Sequence, residues 1–322
     1  MRYIITIFLA ILFFSCDNEL DLIAEKKEVP VVYGIIDQTD TAQYIRVERI
    51  FVDEEIKPEL ISQNPDSLYY EDIVVKLVRT LNGTEYELER VDGNLEGYVR
   101  DEGIFANTPN YLYKIRTEDI PMNEDEEIEL RIEGIFEDRA VTSTANILEP
   151  PFLVSPQSGG FLAIEPNKRL NIGWTPKGEG VLYTVLFHIN ITETLSAQEP
   201  VDKRLTWIVT SGTEKRNIDE LGQNFFSFLV GALEKNPSIT RRLNSIEFEL
   251  ITGNESIADY IRVGRANLGI TSSGEIPVFS NIEEGLGIFG ATHTHLRTGL
   301  QLTQPSLDTL RNGPITAELN VQ

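Results

Sequence analysis

The sequence predicts a mainly β protein built as two β-sandwich domains, the second carrying an inserted amphipathic helix. Three observations predict it: short runs rich in β-branched and aromatic residues, strict alternation of apolar with acidic residues in several of them, and a Glu149-Pro150-Pro151 break between two such sets. The length of 322 residues agrees with two domains, and 41% apolar residues suffice for ordinary cores, which excludes wholesale disorder.

In the first domain, assigned to 28–148, strands are predicted at 29–36, 44–52, 72–79, 85–91, 111–116, 128–134 and 139–147. Short strands at this density fit a sandwich. Tyr86 and Leu88 alternate with Glu85, Glu87 and Glu89, and Ile128, Leu130 and Ile132 alternate with Glu127, Glu129, Arg131 and Glu133. Each such strand has one apolar face turned inward and one acidic face turned to water. Asn82-Gly83 carries the residues of a tight primed turn, in which both central positions need positive φ.

The consecutive prolines cannot donate ladder hydrogen bonds and favour a linker, which puts the second domain at 152–322. Its first strands are predicted at 170–174 and 183–192, with Tyr183, Val185, Phe187, Ile189 and Ile191 on one face. Trp174 followed by a long aromatic strand resembles the early strands of a fibronectin type III sandwich, so both domains are read as Ig/fibronectin III-like. One helix is predicted near 218–235: Asn217 as N-cap, Asp219 and Glu220 in the first turn, and Pro237 beyond the end. Leu221, Phe225, Phe228, Leu229, Ala232 and Leu233 form its apolar stripe, read as packing on its own sheet, while Phe226 on the flank keeps a partner-docking helix open.

The N-terminus determines location. Met1-Arg2 is a short basic start, and residues 3–14 form a nearly unbroken apolar run ending at Ser15-Cys16. Twelve residues make about 18 Å of helix, too short for a hydrocarbon core of about 30 Å. The run at 1–15 is read as a signal peptide. A small residue directly before the only cysteine matches the lipobox of bacterial lipoproteins, which makes Cys16 the lipidation site, carrying palmitate-type acyl chains, and 16–27 a lipidated tether. Asp17, Glu19 and Asp21 just after it resemble the surface-export signal of Bacteroidota lipoproteins. The expected location is the outer membrane, lipid-anchored and facing the cell exterior.

The net charge of −23 repels the phosphate backbone, so nucleic acid is excluded as a partner. A single cysteine excludes a disulfide framework and a multi-Cys metal site. Nucleophile-elbow, zincin, Walker and dinucleotide motifs do not occur in the sequence. His293-x-His295 would project both rings to one side of a strand, but two ligands are too few for zinc and only His188 remains, so no metal is assigned. Residues 124–127 form an acidic loop without EF-hand spacing, read as a solvated turn. Catalytic residues and cofactors are therefore expected to be none, and the chain is expected not to be an enzyme.

Four segments carry a family resemblance: Pro30-Val31-Val32-Tyr33-Gly34; Asp40-Thr41-Ala42-Gln43-Tyr44-Ile45-Arg46-Val47; Gly103-Ile104-Phe105-Ala106 with Pro109-Asn110 and Tyr113; and Ser280-Asn281-Ile282 with Gly285-Leu286-Gly287-Ile288-Phe289. Together they resemble an uncharacterised Bacteroidota family of outer-membrane lipoproteins, a domain of unknown function. The resemblance implies an accessory subunit of an outer-membrane β-barrel of the TonB-dependent transporter or barrel-assembly type. It implies partners as well: that barrel, its associated lipoproteins and, through the lipid, the membrane. Leu286, Ile288 and Phe289 are the favoured partner contact, with closure of the second core as the alternative. Asp40-Thr41-Ala42, Asp66-Ser67-Leu68 and Asp308-Thr309-Leu310 resemble the O-glycosylation sequon of exported Bacteroidota proteins, which marks Thr41, Ser67 and Thr309. Three function classes follow in order of support: a non-enzymatic barrel accessory, a substrate-binding lipoprotein for glycans or peptides, and a hydrolase whose paired carboxylates converge from distant positions.

Overall fold

A computed structural model describes residues 29–50, 62–157, 160–195, 198–269 and 278–322. The signal peptide, the tether, Cys16, Asp17, Glu19 and Asp21 lie outside the described residues. Among the described residues the chain is mainly β, with sixteen strands in three sheets.

The first half contributes β1 (Val29–Asp37), β2 (Ala42–Ile50), β3 (Val74–Arg79), β4 (Thr84–Glu87), β5 (Glu89–Asp92), β6 (Tyr111–Arg116), β7 (Glu127–Glu133) and β8 (Val141–Asn146). The second contributes β9 (Phe152–Ser155), β10 (Phe161–Leu162), β11 (Arg169–Thr175), β12 (Leu182–Leu195), β13 (Val201–Thr213), β14 (Asn217–Leu221), β15 (Ile239–Gly253) and β16 (Leu286–Leu302). A nine-stranded sheet runs β13-β12-β15-β16-β1-β2-β6-β5, with β10 beside β16. A four-stranded sheet, β4-β3-β7-β8, and a three-stranded sheet, β14-β11-β9, complete the molecule.

Two apolar cores result, one per small sheet. Alternation turns Val32, Ile36, Ile45 and Val47 of the long sheet onto Val75, Leu77, Ile128, Leu130 and Ile132 of the four-stranded sheet. Val185, Phe187, Phe248 and Leu250 of the long sheet meet Leu153, Ile172 and Trp174 of the three-stranded sheet, with Phe225, Phe226 and Leu229 of α1 (Gly222–Ala232) filling the same core. The second core draws only on residues beyond Glu149-Pro150-Pro151, whereas the first core and the long sheet both cross that break. β16, from the second half, pairs in parallel with β1 from Val31↔Leu286 to Asp37↔Thr292, and Ile282, Phe289 and Ala291 join the first core. The described strands therefore form two sandwiches fused through one shared sheet. Asn281 secures the joint, accepting from the Phe289 N–H at 2.9 Å and donating to the Phe289 carbonyl at 2.6 Å.

Several expectations need correction. The run at 85–91 is two strands, because the chain crosses between layers at Leu88: β4 pairs with β3 in the small sheet and β5 with β6 in the long one. The Asn82-Gly83 loop spans four residues between Arg79 and Thr84 and only Gly83 has positive φ, while Asn82 accepts from the Thr84 N–H at 3.0 Å. Residues 217–221 are strand rather than the first helical turn, paired with β11, so Asn217 caps nothing and the helix begins at Gly222. A side chain at Gly222 would meet the Glu165 carbonyl at 2.2 Å, so glycine permits that tight entry. Phe226 is fully buried, which removes the partner-docking helix. Two further helices were not anticipated, α2 (Glu255–Gly269) and α3 (Gln304–Asn312). Asn254 starts the first by accepting from the Ile257 N–H at 3.3 Å, and Pro305 sits in the first turn of the second.

Candidate functional site: a tyrosine-lined cleft over the joint

The same alternation that buries Val32 and Ile36 turns Tyr33, Ile35 and Asp37 to the other face of the long sheet. Across the ladders that outer face continues through Tyr44 on β2 and Ile288 on β16. α2 lies on part of it, packing Ile257, Ala258 and Ile261 against Ile288 and Leu182. The rest is uncovered: Tyr33, Ile35, Tyr98, Tyr260, Leu286 and Leu296 are all at least 39% exposed. Isolated surface apolar residues are ordinary, whereas a contiguous apolar stretch marks an interaction site.

At the centre is a cleft of about 440 Å³ lined by Tyr33, Ile35, Asp40, Tyr44, Tyr98, Ile257, Tyr260, Ile261 and Ile288. The Tyr44 and Tyr98 rings lie 4.6 Å apart, a tilted aromatic pair. Tyr98 comes from the loop after β5, which is held by the buried Asn110 donating to the Tyr98 carbonyl at 2.7 Å. Arg46 in turn donates to the Asn110 side-chain oxygen at 2.7 Å. Tyr44 donates to Glu96 at 3.0 Å, and Lys114 donates to the same carboxylate at 2.6 Å. Those bonds, from Lys114 first and Tyr44 second, hold the Glu96 carboxyl below its ordinary range. Partial burial pushes the Tyr33 phenol up, with Tyr260 and Glu48 adding to it.

Beyond the joint the outer face turns polar. His188 lies on that polar face, as its strand phase requires, but is buried between Thr206, 3.0 Å away, and Glu249. A second cleft of about 420 Å³, polar, lies where Thr142 and Glu283 bridge the two halves. Among the described residues no group of three or more His, Cys, Asp and Glu is placed to hold a metal ion. The acidic loop at 124–127 is not wholly solvated: Glu126 is buried and takes two hydrogen bonds from Arg79, at 2.6 and 2.9 Å, and two from Asn123, at 2.8 Å from its side chain and 3.4 Å from its backbone N–H.

The predicted contact residues divide. Phe289 is completely buried in the first core, and Ile288 is buried against α2 at the floor of the tyrosine cleft. Only Leu286 is exposed, beside the tyrosine cleft. Thr41 is exposed in the turn between β1 and β2, and Ser67 is half-buried in the helical turn Pro65–Leu68. Thr309 is half-buried in α3 with its hydroxyl donating to the Pro305 carbonyl at 2.9 Å, which leaves Thr41 the most accessible of the three. Both tryptophans, Trp174 and Trp207, are core residues. Sequence reasoning missed the tyrosines as a set, although Tyr33 and Tyr44 stand in the segments that carried the family resemblance; their alternation with Val32, Gly34 and Ile45 was the available signal. Tyr98 and Tyr260 reach the cleft only through the tertiary fold.

No protein-family model matches this chain, and no curated protein matches it. Among solved structures it is similar to the crystal structure of the FN1–FN3 domains of chicken CNTN1, at 12% identity, over 84% of this chain and 65% of that one, with a TM-score of 0.19. The chain thus spans just under two thirds of the length of that structure. The two-sandwich architecture rests on the sheets themselves.

Proposed function

We propose that this chain is a non-enzymatic, lipid-anchored outer-membrane protein facing the cell exterior, acting as an accessory subunit of an outer-membrane β-barrel complex in assembly, export or uptake. The observation that carries the reading is the uncovered tyrosine and isoleucine face over the joint between the sandwiches. An apolar face of this kind on an otherwise strongly acidic protein fits a protein partner better than a phosphate or nucleic-acid one. The apolar run ending at Cys16 supplies the anchor, and a tether of about a dozen residues confines the body near its barrel, which raises effective concentration so that a modest interface stays occupied. Among the described residues no helix is long and apolar enough to cross a membrane, consistent with attachment through lipid.

Quantitative capture through a C-terminal tag in the native host tests this. The unmodified chain should retain a β-barrel near one-to-one, Ile35→Asp should lose it at unchanged melting temperature, and Cys16→Ala should leave the membrane fraction. A chain recovered alone, or a barrel retained equally by Ile35→Asp, contradicts the reading.

A second reading, a substrate-binding lipoprotein for glycans or peptides, is favoured by one specific feature: the face is concave, and about 440 Å³ with four tyrosines matches a small-ligand pocket in size and lining. Calorimetry with oligosaccharides and peptides separates the two, since only this reading gives saturable heat that Tyr33→Ala removes.

A further inference from the structure

The opposite, core-side face of the same sheet carries a second feature. β1 accompanies β16 only as far as Thr292, and β10 joins it only at Gln301. Between them, β16 has a ladder partner on the β15 side alone. Cross-strand pairing sets His293 beside Thr252, His295 beside Leu250 and Arg297 beside Phe248. Phe248 and Leu250 are fully buried core residues, so these three side chains stand on the core side, at the seam between the two sandwiches and at alternate positions about 7 Å apart.

Among the described residues, several buried polar atoms here have no hydrogen-bond partner. His293 is 93% buried, being 7% exposed, and both its ring nitrogens are buried and unbonded. The Thr252 hydroxyl and the Arg297 Nε are buried and unbonded as well. Arg297 forms no ion pair among the described residues. Buried polar groups in folded proteins are almost always satisfied, by protein, water or ligand. The guanidinium only donates, and each neutral imidazole and the Thr252 hydroxyl can donate one hydrogen bond, a set that suits an acceptor-rich group of negative charge.

We infer that this seam is an oxyanion-binding site, in which Arg297 and His295 donate to a carboxylate or phosphate group of the ligand and His293 and Thr252 flank it. The carboxylates near His293 fix the polarity. Asp37 and Glu124 act on that ring only through their charge, and Asp37, on the outer face of the sheet, already accepts from Thr39, Thr292 and Thr294, so the anion sits toward Arg297. Burial holds both imidazoles neutral in the free protein; Asp37 and Glu124 oppose this at His293, whereas Arg297 and His293 reinforce it at His295. A bound anion favours the protonated rings, so affinity rises as pH falls through the ordinary histidine range. The site lies on the face opposite the tyrosine cleft and does not rest on the function proposed for that cleft.

The three histidines make the test direct. Imidazole NMR resonances of the full mature chain are followed against inorganic phosphate, acetate and, as the ionic-strength control, chloride. Saturable shifts and raised pKa values at His293 and His295, with His188 unmoved, are expected with phosphate, acetate or both, and the stronger of the two assigns the ligand group. Arg297→Gln should weaken binding roughly ten- to a hundredfold, the loss of a charged hydrogen bond, with near-ultraviolet circular dichroism unchanged. If Arg297→Gln does not fold, His295→Gln in the same titration takes its place. Rings that ignore both anions or respond equally to chloride overturn the proposal, and so does undiminished affinity in the folded variant.

Discussion

Residues 286–292 and 293–302 of β16 belong to one strand and differ in every respect that matters for function. The first stretch is glycine and apolar, with Gly287, Ile288, Phe289 and Ala291 fitted against β1 so closely that the two halves of the molecule share a sheet. The second carries His293 and Arg297 with buried polar atoms unbonded, and its edge away from β15 has no strand partner between Thr292 and Gln301. The contrast teaches where the chain spends its packing. The joint is closed by backbone and methyl contacts that tolerate no change, whereas the seam beside it is left chemically unsatisfied.

The largest expected effect breaks the joint. A Cβ at Gly287 would lie 1.9 Å from the Val32 carbonyl oxygen, and its φ is +116°. Gly287→Ala should cost about 4 kcal/mol or more, by backbone collision plus strain. Gly299, in the second stretch, has φ +72° and nothing within 4 Å, so Gly299→Ala should cost only about 1 kcal/mol. Urea unfolding of the two variants measures the contrast within one strand.

Next in size is Arg241→Ala. Arg241 is fully buried, donating to Glu193 at 2.8 Å and to the Leu319 and Glu234 carbonyls at 2.8 and 2.9 Å, so it fastens the C-terminal segment to the second sandwich. Its loss should cost about 3 kcal/mol, the usual price of breaking a buried pair, and should release the segment after α3 to proteolysis.

The first sandwich has its counterpart in Arg79 and Glu126, which sharpens the comparison through pH. The hydrogen bonds from Arg79 hold the Glu126 carboxyl below its ordinary range despite burial. A carboxyl whose folded pKa lies below its unfolded value stabilises fully above the unfolded pKa, about 4.3. That contribution is lost as pH falls through the lower folded pKa. The urea midpoint of the unmodified protein should therefore exceed that of Glu126→Gln at neutral pH and converge with it on acidification below the ordinary carboxylate range. A difference independent of pH would assign the stabilisation to packing.

The smallest effect on stability is expected at the outer face. Ile35→Asp, at 47% exposure, should change stability by no more than about 0.5 kcal/mol, with partner binding lost.

Much of the architecture was legible because β alternation is local. The strands at 111–116 and 128–134, the inward Tyr183–Ile191 face and the core position of Trp174 follow from periodicity and residue type alone. What escaped was non-local. The β1–β16 pairing joins residues some 250 positions apart in parallel, and no local pattern signals it, so Ile288 and Phe289 read as a partner contact or as closure of the second core rather than as the centre of a joint. Asn217 looked like a cap because its side chain suits one, yet pairing of residues 217–221 with β11 outweighed that preference. The cleft was hidden in the same way: alternation faces Tyr33 outward, but only the fold brings Tyr98 and Tyr260 beside it.

Site-specific photocrosslinking in the native host tests the central claim most directly, that the outer face over the joint is the working surface. A photoreactive residue replaces Ile35, with Phe161 on β10, which is more exposed still, as control. The account predicts a single adduct with an outer-membrane β-barrel from position 35 and none from position 161. An adduct from position 161 alone, or none from position 35 in cells where the chain is membrane-bound, would contradict it.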